Sequence, residues 1–144
     1  MKIVLVPARP QDFKYCERLY FSGMEKIIRE LKLDMARQAA GFRQRWDVEQ
    51  VRIITLDGAT VGWLQSTVRG DALFLAQLFV DGPFQRCGIG TEVIRCLIAE
   101  ANSAHRAVTL GVMRTNPAVS LYERLGFHTA DVDDIKFYMR REPD

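Results

Sequence analysis

The run Gln85-Arg86-Cys87-Gly88-Ile89-Gly90-Thr91 places two glycines one residue apart beside an arginine, at the start of a helix-patterned stretch from Ile89 to Ala101. Glycines let the backbone turn sharply and keep side chains away from a ligand. A helix that begins in such a turn aims unpaired N–H groups, and the positive end of its dipole, at whatever occupies it. That is anion chemistry, phosphate above all. Arg86 adds a guanidinium able to grip a phosphate through two parallel bonds. Two common phosphate loops are excluded by the letters. A P-loop needs Gly-Lys-Ser/Thr at its end, and Gly90 is followed by Thr91-Glu92. A dinucleotide fingerprint needs a small residue three places after the second glycine, where Val93 stands.

A second cluster follows at Asn116-Pro117-Ala118-Val119-Ser120-Leu121-Tyr122-Glu123-Arg124-Leu125-Gly126-Phe127. Asn116 is a good helix N-cap, Pro117 suits the first helical position, and Gly126 suits the residue just past the end. Ala118, Leu121, Tyr122 and Leu125 then share one helical face.

The two stretches together resemble the GCN5-related N-acetyltransferase (GNAT) family. Gln85-x-x-Gly88-x-Gly90 matches its Gln/Arg-x-x-Gly-x-Gly/Ala loop at every fixed position, and the Asn116 to Phe127 segment is similar to its second signature, an asparagine followed by Leu-Tyr-Glu-x-Leu-Gly-Phe. The resemblance runs from about Ile3 to Arg140, in pattern only over the first half. It implies acetyl-coenzyme A as co-substrate and direct attack of an amine on the thioester. Gln85, Arg86, Cys87, Gly88, Ile89, Gly90 and Thr91 would surround the pyrophosphate, with Cys87 at a variable position and its thiol incidental. The backbone of Leu78, Phe79 and Val80 would hold the pantetheine arm, one of its N–H groups polarising the thioester carbonyl. Asn116 would reach the cofactor from another strand's end. Tyr122 would return a proton to the departing sulfur, a phenol being well matched to an alkyl thiolate. A non-catalytic acyl-coenzyme A sensor on the same fold is the alternative.

The elements that must position these groups follow from periodicity. Ile3 to Val6 reads as a short strand closed by Pro7. Pro10 starts a helix carrying Cys16, Leu19, Tyr20, Met24, Ile27, Ile28 and Leu31 on one face, with Ser22-Gly23 as a point of kinking or division. Asp34 caps a second helix running to about Arg45. Val51 to Leu56 and Val61 to Val68 are β-branched runs around an Asp57-Gly58 hairpin signal. Arg69-Gly70-Asp71 turns into Ala72 to Val80, nearly continuous apolar and so a central strand. Ala107 to Met113 is a further buried strand, and Phe127 to Ala130 and Ile135 to Arg140 flank an acidic turn. The expected order is β-α-α-β-β-β-α-β-α-β-β, a mixed α/β sheet with helices on its faces, in one domain spanning residues 1–144. It matches the acetyltransferase fold, in which the two central strands splay to admit the acyl-coenzyme A.

Composition narrows the partners. The 144 residues are 48% hydrophobic and 26% charged, with a net charge of +2, too small to argue for nucleic acid or an acidic membrane. Three cysteines in no paired or metal-like spacing fit a reducing compartment, so the cytoplasm is the default. No apolar run approaches the ~18 residues of a spanning helix. His105 and His128 have no neighbour at ligand spacing, so no metal is expected.

The acceptor side is thin. In relatives a glutamate often stands on the strand before the Asn116 helix, where this chain has Leu110 or Gly111; others use an acidic residue on the central strand, which here offers Gln77. Glu25, Glu30 and Asp34 read as solvated helix charges, and no base is assigned. Asp131, Asp133 and Asp134 read as a solvated turn, and Arg43, Arg45 and Arg52 around Trp46 as a mixed-charge surface. Trp63 is read as core. Small amines, peptides and protein amines all fit as acceptors, and family members commonly pair, which leaves a homodimer open as the assembly.

Overall fold

In the computed structural model, which describes residues 2–144, the element order is the one read from the sequence. Strand β1 (Ile3–Pro7) precedes helices α1 (Phe13–Glu30) and α2 (Met35–Arg45) and strands β2 (Val51–Leu56), β3 (Ala59–Arg69) and β4 (Ala72–Val80). Helix α3 (Ile89–Ser103), strand β5 (Ala107–Met113), helix α4 (Ala118–Arg124) and strands β6 (His128–Val132) and β7 (Lys136–Arg141) complete it. The strands form a seven-stranded mixed sheet in the order β1-β2-β3-β4-β5-β7-β6, with the apolar β4 at its centre. β4 and β5 run parallel, in register from Ala72↔Ala107 to Leu75↔Leu110. β4 continues beyond that ladder to Val80 and β5 to Met113. Among the described residues no helix is long and apolar enough to cross a membrane.

The chain divides into two compact units. The first comprises the chain up to Gln65 together with Gln77–Ile89. Its strands β1, β2 and β3 pair antiparallel, and Leu56↔Ala59 closes β2 and β3 around Asp57 and Gly58 at φ 50° and 88°. Those angles are what a two-residue turn matching the strand twist requires. α1 is unbroken through Ser22 and Gly23, contrary to the expected kink. A single glycine costs about 0.5–1 kcal/mol in a helix, too little to break one whose face buries Cys16, Leu19, Tyr20 and Ile28. A short 3₁₀ turn at Pro10–Asp12 takes the place of the expected first helical turn. Asp34 does cap α2, its Oδ1 accepting from the Ala36 and Arg37 N–H groups at 2.8 and 3.2 Å.

Aromatic rings fill this unit's core. Trp63, fully buried, meets Phe42 edge-on at 5.9 Å and stacks on Phe79 at 5.5 Å, and Tyr20 packs on both Phe42 and Phe79. The buried Gln65 is satisfied: its Nε2 donates to the Arg45 carbonyl at 2.8 Å and to Gln50 Oε1 at 3.0 Å, which ties the end of α2 to β3.

The second unit comprises Ser66–Ala76 and Gly90–Asp144. Its core is aliphatic: α3 buries Val93, Ile94, Leu97, Ile98 and Ala101, at the spacing of one helical face. β5 and β7 pair antiparallel from Val108↔Arg141 to Met113↔Lys136, and β6 pairs with β7. Arg140 joins Asp71 and Glu142 in one ion-paired cluster.

Candidate active site

The loop 81–88 leaves β4 through a 3₁₀ turn at Gly82–Phe84 and delivers the chain to α3. Gln85 staples it, its Nε2 donating to the Val80 carbonyl at 2.9 Å. Arg86 and Gly88 have φ of 61° and 81°, and the intervening Cys87 does not have positive φ. Such an alternation turns successive backbone N–H groups to one side and makes an anion-binding concavity. Gln85, Arg86, Cys87 and Gly88 are all exposed, whereas Ile89 is buried and anchors the loop's end.

Among the described residues four non-glycines take positive φ: Lys32, Asp57, Arg86 and His105. Asp57 makes the hairpin turn. Lys32 and His105 close α1 and α3, since Leu33 N–H donates to the Ile28 carbonyl and Lys32 N–H to that of Arg29, and Arg106 and His105 repeat the pattern on Ala101 and Asn102. That is the bond pair of a left-handed helix terminator. Arg86 makes no hairpin; it stands one residue past the C-cap Gln85 of the short 3₁₀ turn Gly82–Phe84, without the bond pair that closes α1 and α3. A left-handed residue of this kind costs about 1–2 kcal/mol, and strain kept without a folding reason points to a site. Gly90, like Gly82 in the same loop region, has neither a positive φ nor a close neighbour to require a glycine, and a Cβ there would meet nothing within 4 Å. The fold leaves room at Gly90 that it does not use.

The segment 116–127 is different. Asn116 Oδ1 accepts from the Ala118 N–H at 2.9 Å, so Asn116 caps α4 and only its amide nitrogen remains to donate elsewhere. At the other end Gly126 has φ 97°; its N–H donates to the Glu123 carbonyl and that of Phe127 to the Tyr122 carbonyl. The hydrophobic contact that accompanies this terminator is Tyr122 on Phe127, edge to face at 5.6 Å. Tyr122 is half-buried, and burial raises its hydroxyl pKa above the ordinary 10. It therefore holds its proton across neutral pH, as an acid and not as a base.

Leu78, Phe79 and Val80 form the end of β4 in the first unit, each half-buried. The Phe79 ring goes into the aromatic core, which leaves this residue's backbone as the part able to serve a ligand. Tyr15, on α1, has a buried hydroxyl without a hydrogen-bond partner, and burial together with the charge of Asp81 pushes it up to about 12. Nothing in the local sequence signals it.

The acidic residues have structural employment. Glu25 pairs with Arg29 at 3.7 Å and Glu30 with Lys26 at 3.9 Å. Asp133 Oδ1 accepts from the Ile135 and Lys136 N–H groups, and Oδ2 accepts from the Tyr138 hydroxyl at 2.7 Å. Those bonds, the tyrosine's first, hold its carboxyl below the usual range. Gly111 pairs with Tyr138 across β5 and β7, and a Cβ there would make ordinary contact with that ring at 3.4 Å. Trp46 meets Phe13 edge-on at 5.3 Å and belongs with the core, not with a basic surface.

A glycine loop between the central strand and a helix, in this strand order, defines an acetyltransferase domain. The family model described as the Acetyltransferase (GNAT) family matches residues 18–127, and the chain belongs to that family. No curated protein sequence matches it. Among solved structures it is similar to the PaiA N-acetyltransferase from Thermoplasma acidophilum in complex with coenzyme A, with a TM-score of 0.75, 15% identity and 99% of each chain covered. It is also similar to the ribosomal-protein-S18-alanine N-acetyltransferase from Escherichia coli, with a TM-score of 0.68, 19% identity and 98% of this chain and 94% of that one covered. An N-acetyltransferase from Staphylococcus aureus Mu50 gives a TM-score of 0.74 at 12% identity, over 95% of this chain and 99% of that one. At these identities the likeness is one of fold.

Proposed function

We propose that this chain is an acetyl-coenzyme A-dependent N-acetyltransferase, a single cytoplasmic domain over residues 1–144 that acetylates a primary amine of a small molecule or peptide by direct attack. The observation that carries the reading is the loop 85–91, with its unexplained left-handed Arg86 and its unfilled space at Gly90. A pyrophosphate held by consecutive N–H groups accounts for both. The GNAT loop pattern admits alanine at the position of Gly90, so the requirement there is for a residue no larger than a methyl group. The coenzyme A seen with the Thermoplasma relative supports the same donor.

In this reading residues 85–91 anchor the pyrophosphate, the backbone of Leu78, Phe79 and Val80 pairs with the pantetheine arm, and the free amide nitrogen of Asn116 contributes a further donor. The lone pair of a neutral amine attacks the thioester carbonyl carbon and forms the C–N bond. The C–S bond breaks, and the Tyr122 hydroxyl gives its proton to the sulfur, to be restored from the acetylated nitrogen through solvent. Burial keeps the Tyr122 hydroxyl protonated at neutral pH, so the proton is there to be given. Glu25 and Glu30 are ion-paired and Asp34 is a helix cap, and no base is assigned for the amine's first proton.

Release of free thiol from acetyl-coenzyme A, followed over a panel of amines with the wild type and Tyr122→Phe, tests the proposal. Turnover by the wild type, lost in a variant that still binds coenzyme A, supports it. Binding without turnover on any amine supports a sensor instead.

A further inference from the structure

Two glycines outside the loop grip a single residue of β4. Gly62 is buried on β3 next to Trp63, and successive residues of a strand face opposite sides of the sheet. The Trp63 ring lies on the side of α1, stacked on Phe79, so Gly62 faces the other way. A Cβ at Gly62 would lie 2.3 Å from the Phe79 carbonyl oxygen and 3.1 Å from the Val80 Cα. Both are backbone atoms and no rotamer relieves the contact. The strand cannot easily withdraw either, because the Asp81 N–H donates to the Val61 carbonyl at 2.8 Å just beyond. On the other side, a Cβ at Gly23 of α1 would lie 2.7 Å from the Phe79 ring. Phe79 is thus held at its carbonyl by one absent side chain and at its ring by another.

We propose that Gly62 and Gly23 are positioning residues for the acetyl donor: they fix the Phe79–Val80 peptide where it pairs with the pantetheine arm. The inference rests on the reading of β4 given under the proposed function. An alanine at 62 must displace that peptide by about 0.7 Å, the difference between 2.3 Å and the 3.0 Å below which real Cβ contacts essentially never fall. A shift of that size weakens a backbone hydrogen bond to the ligand, worth roughly tenfold in affinity. The loop 85–91 is affected less directly, through the Gln85 bond to the Val80 carbonyl. Gly23→Ala acts through the Phe79 ring, which rests on the Tyr20 and Trp63 rings, so its effect is smaller and is relieved by shortening that ring.

The experiment compares two ligands by calorimetry: acetyl-coenzyme A, and adenosine 3′-phosphate 5′-diphosphate, the half of it that lacks the pantetheine arm. Gly62→Ala is expected to weaken acetyl-coenzyme A roughly tenfold while the nucleotide changes less than about threefold. Gly23→Ala should weaken acetyl-coenzyme A by a smaller factor, recovered in Gly23→Ala/Phe79→Leu. A folded Gly62→Ala that binds both ligands as the wild type does, or loses both equally, overturns the positioning role. Should Gly62→Ala fail to fold, the Gly23 pair decides: recovery supports the role, and a loss that Phe79→Leu leaves in place overturns it. Wild-type protein that binds neither ligand overturns the acetyltransferase reading itself.

Discussion

The segments 85–91 and 116–127 both carry a left-handed glycine at a helix end, yet the fold asks different things of them. In 116–127 nearly every distinctive residue has folding work: Asn116 caps α4, Gly126 terminates it, and Phe127 is buried beneath Tyr122. A chain with no ligand would still keep them. In 85–91 the folding reasons cover Gly88, by its φ, and Ile89, by its burial, but not Arg86 or Gly90. A motif is evidence of function in proportion to the residues that folding leaves unexplained. By that measure the loop argues for its ligand more strongly than the helix argues for catalysis, and Tyr122 needs a test that separates packing from chemistry.

Tyr122→Phe supplies it and carries the largest expected effect. The ring remains on Phe127, so the melting temperature stays near that of the wild type, while turnover falls roughly 10²–10⁴-fold, the usual worth of a positioned general acid. Unchanged turnover would assign Tyr122 to packing alone. Next in size is the split between the two motifs. Gly126→Ala, at φ 97°, should lose about 1–2 kcal/mol of stability in denaturant titration with coenzyme A affinity intact. Gly90→Ala should gain about 0.5–1 kcal/mol, since it places a better helix former where nothing is touched. Asn116→Ala removes the cap at a cost of about 1 kcal/mol. A larger loss from Gly90→Ala than from Gly126→Ala in the same titration would invert the comparison.

The smallest effect is a pH dependence. Arg140 holds the carboxyls of Asp71 and Glu142 below their ordinary 3.8 and 4.5, and the Tyr138 hydroxyl does the same for Asp133. Lowered carboxyl pKa values contribute stability that is present above the ordinary values and is lost as pH falls through the lowered ones. Melting temperature followed from about pH 6 down to about pH 2 should decline in that window, and less steeply for Asp71→Asn. Equal slopes would mean that the Arg140 cluster contributes nothing.

Element order was legible because each segment carries its own period and its own stop: Asp34 before α2, Asp57-Gly58 between β2 and β3, and the apolar Ala72 to Val80 for the centre of the sheet. The ends of α1 and α3 were read to within two residues, but their terminators were not, because Lys32 and His105 occupy left-handed positions that usually advertise themselves as glycine. Gly23 read as a breaker in the helix; its reason is a ring from β4, which no local pattern reveals. The same limit applies to the acidic residues. Asp133 reads as an exposed acid until Tyr138 reaches it from β7, and Glu25 and Glu30 have i,i+4 partners that make them ordinary. The loop 85–91 was readable as an anion-binding turn because its distinctive residues are adjacent in the chain and its features lie in the backbone.

The most direct test of the central claim is calorimetric titration of coenzyme A into the wild type and Gly90→Leu. A Cβ added at residue 90 meets nothing within 4 Å, and the melting temperature of the variant is followed alongside to establish that it folds. If that space belongs to the pyrophosphate, affinity falls at least about tenfold, or about 1.4 kcal/mol. Equal affinity in the two proteins, or no binding by the wild type, would contradict the assignment of residues 85–91 to coenzyme A.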